Sequence, residues 1–401
     1  MAEGMADWSS LPSDLINRVA ARFLATNDLD HYMDLRAVCH SWRSSTADPR
    51  TTAADDPRFW PRCWVILDEI ESASGLVRHH DDTRLFVNAA TGRFLPRSLP
   101  LLRGYYHVTT TPGGFLVLAD RKPPHAARLL NPFTGAMARF RASMPRETYL
   151  AAAAVVGSFT LVLACNAPGR LYWADPESEA FLFETCNNIR FPSGLLPLLA
   201  SEYAGRKHGS AVTEDTDEAT NKMVDPVRSS AQLENRTAAV SSTAGGETET
   251  LLLVTLDLEE SNHLIQVRKR PAAASSAQEG VLQFEQVTSI GNNALFVGDR
   301  CLLVDADNLP SVDANCVYYY QLKGPDEFIF RYDLEAGKAH RIAMTMEDEH
   351  PLTLIQLLVN YTMNGPSYEL MWDEMLQRIP EDICLPDYDL DYDDIFLESG
   401  D

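Results

Sequence analysis

The 401-residue sequence lacks any run of about 18 apolar residues, the length that a membrane-spanning helix requires. Its first residues, MAEGMADWSS, lack the basic and apolar regions of a secretory signal peptide. The seven cysteines are scattered, odd in number and without a CxxC pair, which favours reduced thiols over a disulfide framework. We therefore expect an intracellular protein, located in the cytoplasm, the nucleus or both.

Basic residues are few in comparison with acidic ones. The chain has 34 Lys and Arg against 57 Asp and Glu, which gives a formal net charge of -23 at pH 7. Nucleic acids and anionic bilayers would repel such a chain. Neither is an expected partner.

Motifs for catalysis and cofactor binding are also missing. The sequence has no Walker loop, GxGxxG, GxSxG or HExxH, and its ten histidines are dispersed apart from His79 and His80. The stretch RHHDD at 78–82 could offer imidazoles and carboxylates to a metal, but neighbours on a strand point to opposite faces, so a polar loop is the simpler interpretation. We predict no catalytic, cofactor-binding or metal-binding residues.

Residues 1–50 have the spacing of helices, and 51–62 is interpreted as a connector. From Leu11 the apolar positions recur every three or four residues, and the stretch DLRAVCHSWRSS repeats this spacing. Between them ATNDLDHYM predicts a polar break, with Asn27 or Asp28 as the helix N-cap. Two or three short helices form only a marginal core. Their remaining apolar side chains are therefore expected to be covered by a partner; the less favoured alternative is that the helices simply pack on the domain that follows.

Beyond residue 63 the sequence changes to short apolar runs between Gly, Pro, Asn and Asp, such as GFLVLAD and CVYYYQL, a texture typical of strands. A turn that starts with Asn or Asp recurs between such runs. Its copies are at Asn88, Asn131, Asp175 and Asp333, and three of them have Gly four positions later. The first two spacings, 43 and 44 residues, are close to one propeller blade. We predict a β-propeller over 63–345.

The number of blades follows from a fainter copy of the repeat. Asp257 lies 82 residues after Asp175 and 76 before Asp333, about two blades each way, which predicts six or seven blades. Residues 204–249 are nearly free of large apolar side chains, so we expect a disordered insert in the propeller.

The remaining residues, 346–401, are interpreted as a C-terminal segment that ends in an acidic tail. The last 29 residues hold eleven acidic residues and one Arg. This composition predicts a solvated tail or an interaction segment for a basic partner.

Taken together, LPSDLINRVAARFL and DLRAVCHSWR resemble the F-box, although ATNDLDHYMDL is longer than the compact Pro-x-x-Asp-Leu turn of many members. The resemblance implies a module that docks the Skp-type adaptor of a Skp-cullin-F-box ubiquitin ligase. The residues that would contact the adaptor are Leu11, Pro12, Leu15, Ile16, Val19, Leu35, Val38, Cys39 and Trp42.

Further along, LLNPFTGAMARF, ALFVGDRCLLVDADNLPSVDANCVYYY and FIFRYDLEAGKAHRI resemble plant F-box proteins with a C-terminal KIB-type β-propeller. The resemblance implies a multidomain α + β protein, with an all-α F-box followed by an all-β propeller. It also implies a non-catalytic substrate-recognition subunit, which reaches a cullin through the adaptor and binds a protein substrate at residues that no motif marks. Two alternatives stay open: a non-degradative scaffold that binds the adaptor or a kinase, and, less favoured, a propeller enzyme.

Overall fold

The computed structural model describes residues 8–50, 56–67, 83–111, 113–145, 150–156, 159–165, 170–185, 236–242, 250–258, 263–269, 285–298, 301–323, 326–344 and 353–363. The α-helices within them are α1 Ser13–Ala25, α2 Leu29–Ala37, α3 His40–Ser45 and α4 Leu354–Met363. Short 3-10 helices occur at Trp8–Ser10, Pro57–Phe59, Pro100–Gly104 and Ala306–Asn308. Among these described residues, no helix has the length and apolar character needed to cross a membrane.

Twenty strands in the described residues form five sheets. The first contains β1 Trp64–Ile66, β2 Thr83–Asn88 and β3 Phe94–Ser98. The second contains β4 Tyr105–Thr110, β5 Leu116–Asp120, β6 Ala126–Leu130 and β7 Met137–Ser143. The third contains β8 Leu150–Val156, β9 Thr160–Cys165, β10 Arg170–Ala174 and β11 Leu182–Thr185, and the fourth β12 Arg236–Ser242, β13 Thr250–Leu258, β14 His263–Lys269 and β15 Glu285–Val287. The fifth contains β16 Asn293–Val297, β17 Cys301–Asp305, β18 Cys316–Lys323, β19 Asp326–Asp333 and β20 Lys338–Met344.

Each sheet is one blade of a β-propeller. Blades 1 to 4 are antiparallel meanders in chain order, whereas blade 5 has the order β17-β16-β18-β19-β20 with β16 parallel to β18. The first strand of blade 2, β4, contacts the first strand of blade 3, β8. In the same way β12, the first strand of blade 4, contacts β17, which stands first in the strand order of blade 5. These strands therefore lie on the inner side of the ring.

Apolar cores between neighbouring blades hold the ring together. Val117 of blade 2 packs in one cluster with Leu161 of blade 3, and Val254 of blade 4 lies in a cluster with Tyr319 of blade 5. The strands are apolar on both faces because each blade is covered on both sides. The ring closes where Val87 of blade 1 joins the cluster of blade 5, to which α4 also contributes.

The blade count predicted from the repeat spacing is wrong, because the propeller has five blades rather than six or seven. Asp175, Asp257 and Asp333 belong to three consecutive blades, so each long interval advances the ring by one blade. The number of residues between two repeated turns includes the segments that connect the strands, whereas the number of blades depends on the strands alone. The residues 186–235 and 270–284 that lengthen these intervals lie outside the described part of the chain.

Part of the segment predicted to be a disordered insert is a strand. Within 204–249, β12 pairs antiparallel with β13 over its whole length, and the rest of this segment lies outside the described residues. Composition misses such a strand because ladder hydrogen bonds come from the backbone and need no large apolar side chain. The stretch RHHDD and the acidic tail also lie outside the described residues.

The helical region also departs from the predicted boundaries. α2 already begins at Leu29, so the polar break is confined to residues 26–28. The second helical stretch is divided at Cys39, whose extended backbone (φ -158°, ψ 171°) separates α2 from α3. The polar stretch is helical from Leu29 onward because Leu29, Asp30 and Tyr32 are buried in tertiary contacts.

Gly92 allows a test of ring closure between blades 1 and 5. Its φ is +67°, and a Cβ there would lie 1.8 Å from the carbonyl oxygen of Asn308, in the segment between β17 and β18. Gly291 has a similar φ of +68° but nothing within 4 Å. We expect Gly92→Ala to lower the free energy of unfolding by about 2 kcal/mol more than Gly291→Ala, because both carry left-handed strain and only the first creates a clash. Urea denaturation measures the difference, and equal losses would contradict the closure contact.

Candidate functional site

The N-terminal helices form a small module with its own core. Ile16 and Ala20 of α1 pack with Tyr32 and Leu35 of α2 and with Phe59, and all five are buried. Two of the predicted adaptor contacts, Ile16 and Leu35, therefore lie inside the module. Leu11 and Trp42 are partly buried against the same core, and Cys39 is half-buried.

The other predicted contacts are exposed and apolar. Leu15 and Val19 lie one turn apart on α1 with 39% and 44% of their surface exposed, and Val38 is 57% exposed. Trp8 is 66% exposed, and its carbonyl oxygen accepts a 3.0 Å hydrogen bond from Nε1 of Trp42. We call Trp8, Pro12, Leu15, Val19 and Val38 the outer face of the module.

The opposite side of the module rests on blades 1 and 2. Leu29 of α2 is fully buried in a cluster with Trp64 and Phe86 of blade 1 and Phe133 of blade 2. The Trp64 and Phe133 rings are 4.6 Å apart between centroids, within the range of favourable aromatic pairs. The helices thus share a core with the propeller.

Asn27 is the polar centre of this contact. Its backbone has φ +56°, a left-handed conformation that Asn tolerates better than most residues. Its Nδ2 donates to the carbonyl oxygen of Trp60 at 2.8 Å, and its Oδ1 accepts from the backbone N–H of Cys63 at 3.0 Å. Its carbonyl oxygen accepts a 2.7 Å bond from Nε1 of Trp64. The link between α1 and α2 is therefore bonded directly to the start of the propeller.

Arg93, just after the first turn of blade 1, holds two carboxylates of the module. Its guanidinium donates to Asp28 at 2.9 Å and to Asp30 at 2.8 Å, and it lies over the Trp64 ring at 5.0 Å from the centroid. Burial alone would raise the pKa of Asp30, but the hydrogen bonds and charge of Arg93 outweigh it and lower that pKa. The hydrogen bond to Asp30 is in turn the main reason why the pKa of Arg93 is raised. Asp30 and Arg93 therefore form an ionised and partly desolvated pair.

The repeated turns of blades 1 and 2 also contact the module and its connector. Oδ1 of Asn131 accepts from the N–H groups of Phe133 and Thr134, while its Nδ2 donates to the carbonyl oxygen of Phe59 at 2.7 Å. Asn88 has the same arrangement, with Nδ2 donating to the carbonyl oxygen of Thr26 at 3.3 Å. Both turns have Asn rather than Asp because the side-chain NH₂ donates a hydrogen bond that a carboxylate could not donate.

Three residues whose side chains commonly bind metal ions lie at the same place. Ligand atoms of Asp28, Asp30 and His31 all lie within 4.8 Å of one another. The guanidinium of Arg93 already occupies the carboxylate oxygens that would face a cation. The group therefore functions as an ion-pair network that fastens the module.

Comparison with known proteins identifies the propeller. Residues 86–343, more than half of the chain, match the family described as the KIB1-4 beta-propeller. The chain belongs to this family. The family resemblance seen in the strand motifs is thereby confirmed.

Two proteins of Arabidopsis thaliana are similar to this chain over short stretches. "Putative F-box protein At1g65770" is 49% identical over 41 residues, which are 10% of this chain and 11% of that protein. "F-box protein At2g26160" is 39% identical over 51 residues, which are 13% of this chain and 14% of that protein. The chain thus matches only a small fraction of the length of these curated relatives.

Sequence reasoning missed the residues that fasten the module to the propeller. The sequence indicates Asn27 and Asp28 only as N-cap candidates, and it marks neither Asp30 nor Arg93. Asp28 does occupy the N-cap position of α2, but its side chain makes no capping hydrogen bond. The local signal was limited to two Asp residues on either side of an apolar Leu29, a pattern that surface helices also show. Their partner is 63 to 65 residues away in the chain, so no local pattern could identify it.

Proposed function

We propose that this KIB1-4 family member is the non-catalytic substrate-recognition subunit of a Skp-cullin-F-box ubiquitin ligase. Its helical module docks the Skp-type adaptor and through it a cullin, and its propeller binds a protein substrate. The observation that carries the proposal is the outer face, where apolar side chains remain exposed on helices whose inner side the propeller already covers. The short similarities to proteins named as F-box proteins support it.

The expected mechanism is proximity. A substrate held by the propeller is brought near a conjugating enzyme that the ligase carries, which raises the effective concentration of its lysines. The bonds from Asn27 and Arg93 to the propeller support a fixed angle between the adaptor and the substrate. This chain need not supply a nucleophile in such a mechanism.

The adaptor contacts remain a prediction, and the predicted residues would have two kinds of role. Pro12, Leu15, Val19 and Val38 are exposed and could insert directly into an adaptor groove. Ile16 and Leu35, which are buried, would instead act by holding α1 and α2 in place. Interface energy is concentrated in a few desolvated apolar side chains, so the exposed set should dominate binding.

Charge placed on the outer face is expected to weaken adaptor binding. We expect Leu15→Asp and Val19→Asp each to weaken binding of the Skp-type adaptor by at least about tenfold, because each buries a carboxylate in an apolar contact. Asn17→Asp is the matched control, since it adds the same charge to an exposed position of α1 that points away from Leu15 and Val19. Surface plasmon resonance with the full chain checks this. Unchanged affinity in both outer-face variants would contradict the proposal.

A second experiment distinguishes a degradative subunit from a scaffold. Partners captured with the full chain under proteasome inhibition should accumulate when the chain is removed from the cell. If every partner keeps its level, the scaffold interpretation is favoured instead. The same experiment with fractionated cells tests the proposed intracellular location, in the cytoplasm, the nucleus or both.

A further inference from the structure

The acidic chain contains one strongly basic region. Residues 83–145, which form most of blades 1 and 2, hold nine Lys and Arg but one acidic residue, Asp120. The whole chain has a net charge of -23, so the rest of it is correspondingly more acidic. Some of these bases pair with acidic residues outside this range, as Arg93 does with Asp28 and Asp30 and Arg141 with Glu177 and Glu179, so the relevant positive charge is that of the remaining exposed bases.

Three of the five exposed bases of this region gather at one end of blade 2, whereas Arg139 and Arg141 lie within β7. Arg103 precedes β4, while Arg121 and Lys122 follow β5, and all three are exposed. Nε of Arg121 donates to the carbonyl oxygen of Arg103 at 3.0 Å, which places the two segments side by side. In the described part of the chain Lys122 forms no ion pair. We call Arg103, Arg121 and Lys122 the basic rim.

The basic rim is at the end of the propeller opposite to the helical module. β6 runs from the rim turn at 121–125 to Asn131, whose amide contacts Phe59 next to the module. The two turns are therefore at opposite ends of blade 2. We call the end with the basic rim the far end.

Helix α4 lies at this far end as well. Asp305, at the end of β17, donates its N–H to the carbonyl oxygen of Ala89, beside the module-facing turn of blade 1. Gly298, at the other end of the same hairpin, lies so close to Thr362 of α4 that a Cβ would be 2.5 Å from the Thr362 carbonyl oxygen. Nε2 of Gln356 also donates to Met344, at the far end of β20. The C-terminal end of α4 thus lies at the face that carries the basic rim.

The acidic tail follows α4 closely. Residues 373–401 contain eleven acidic residues and one Arg, and nine residues separate them from the end of α4. A chain of the length of 364–401 spans at most about 125 Å when extended. A domain of this size is about 50 Å across. The segment is therefore long enough for the tail to contact blade 2.

We propose that the acidic tail docks on the basic rim of its own propeller and covers this part of the far end. Charge of opposite sign on the same face favours this occupant over a partner in solution, because the tail is present at an effective concentration of about 1 mM. An acidic segment of another protein must then displace the tail to bind there. The inference goes beyond the proposed function and does not depend on adaptor docking.

A labelled peptide can test the occupancy. We use a fluorescein-labelled peptide with the sequence of residues 385–396, the full chain, and a full-chain variant with Asn in place of Asp387, Asp389, Asp391, Asp393 and Asp394. For a peptide dissociation constant of about 0.1 mM, a competing tail at about 1 mM lowers the apparent affinity about tenfold. We therefore expect the tail variant to bind the peptide about tenfold more tightly than the wild type in fluorescence anisotropy at low salt.

Two charge reversals locate the contact. In the tail-variant background, Arg121→Glu with Lys122→Glu should abolish peptide binding, whereas Arg18→Glu, on an exposed position of α1 at the opposite end, should not change it. Thermal unfolding verifies that each protein is folded. Equal affinity of the wild type and the tail variant would overturn the proposal, as would no peptide binding to the tail variant. A dimer in light scattering that the tail variant loses would overturn the intramolecular form, since the tail would then occupy a second copy.

Discussion

Replacing Arg93 by Met is expected to lower the free energy of unfolding by about 3 kcal/mol at pH 7. Asp30 is 8% exposed at its side chain and Asp28 15%, so removal of their shared guanidinium leaves two carboxylates together in a poorly hydrated site. Removing one partner of a buried ion pair commonly costs about 3–5 kcal/mol. The loss should be visible as one cooperative transition at lower urea, because the module shares a core with blades 1 and 2.

The pH dependence of this loss identifies its cause. In the wild type the pKa of Asp30 is lowered, so its stabilising contribution is present above its unfolded pKa of about 3.9 and is lost as the pH falls through the folded pKa. Without Arg93, burial raises the pKa of Asp30, and the penalty disappears as the pH falls and the carboxyl takes up a proton. The difference between wild type and variant should therefore shrink from pH 7 to pH 4.5. A difference independent of pH would contradict the ion-pair explanation.

Two further variants serve as controls for the Arg93 experiment. Arg58 also pairs with a carboxylate, at 2.6 Å from Asp56, but its side chain is 60% exposed. We expect Arg58→Met to cost less than about 1 kcal/mol, as exposed pairs generally do. Adding Asp28→Asn and Asp30→Asn to the Arg93 variant should recover most of its stability, because the uncompensated charges are then removed.

Much of the architecture is visible in the sequence, since it depends on local patterns. The spacing of Ile16 and Ala20 predicts the buried side of α1, and TLLLVTLDL and CVYYYQL predict β13 and β18. The Asx turns at Asn88 and Asn131 are where their residues predict them, with Gly92 and Gly135 at positive φ. In each case the residues that decide the structure lie within a few positions of one another.

Features that depend on distant partners are not visible in this way. Asp28 and Asp30 have the composition of a loop, and they belong to a contact with the propeller because Arg93 compensates their charge. Likewise the predicted adaptor contacts share one helical period, yet Leu15 is exposed and Ile16 is buried. Periodicity identifies an apolar side of a helix. Which of its residues the propeller and the module core cover is decided by packing.

The turn residue at Asn131 provides the second large expected effect. Asp at this position keeps an Oδ atom to accept from Phe133 and Thr134 but replaces the donor Nδ2 by an oxygen 2.7 Å from the carbonyl oxygen of Phe59. Asn131 is 3% exposed, so the new charge would be buried without a partner. We expect Asn131→Asp to lower the free energy of unfolding by about 3 kcal/mol at pH 7, measured by urea denaturation.

The reverse exchange in blade 5 is the matched control. Oδ1 of Asp333 accepts from the N–H groups of Glu335 and Ala336, both at 2.9 Å, so Asp333→Asn preserves the turn and should change stability by less than about 0.5 kcal/mol. Acid should restore part of the loss in Asn131→Asp, because a protonated carboxyl can again donate to Phe59. Equal effects of the two exchanges would mean that the turn itself prefers Asn. Unequal effects in the expected direction would mean that the Asn of blade 2 is required by the connector between the helices and the propeller, and therefore by the fixed angle on which the proposed ligase geometry depends.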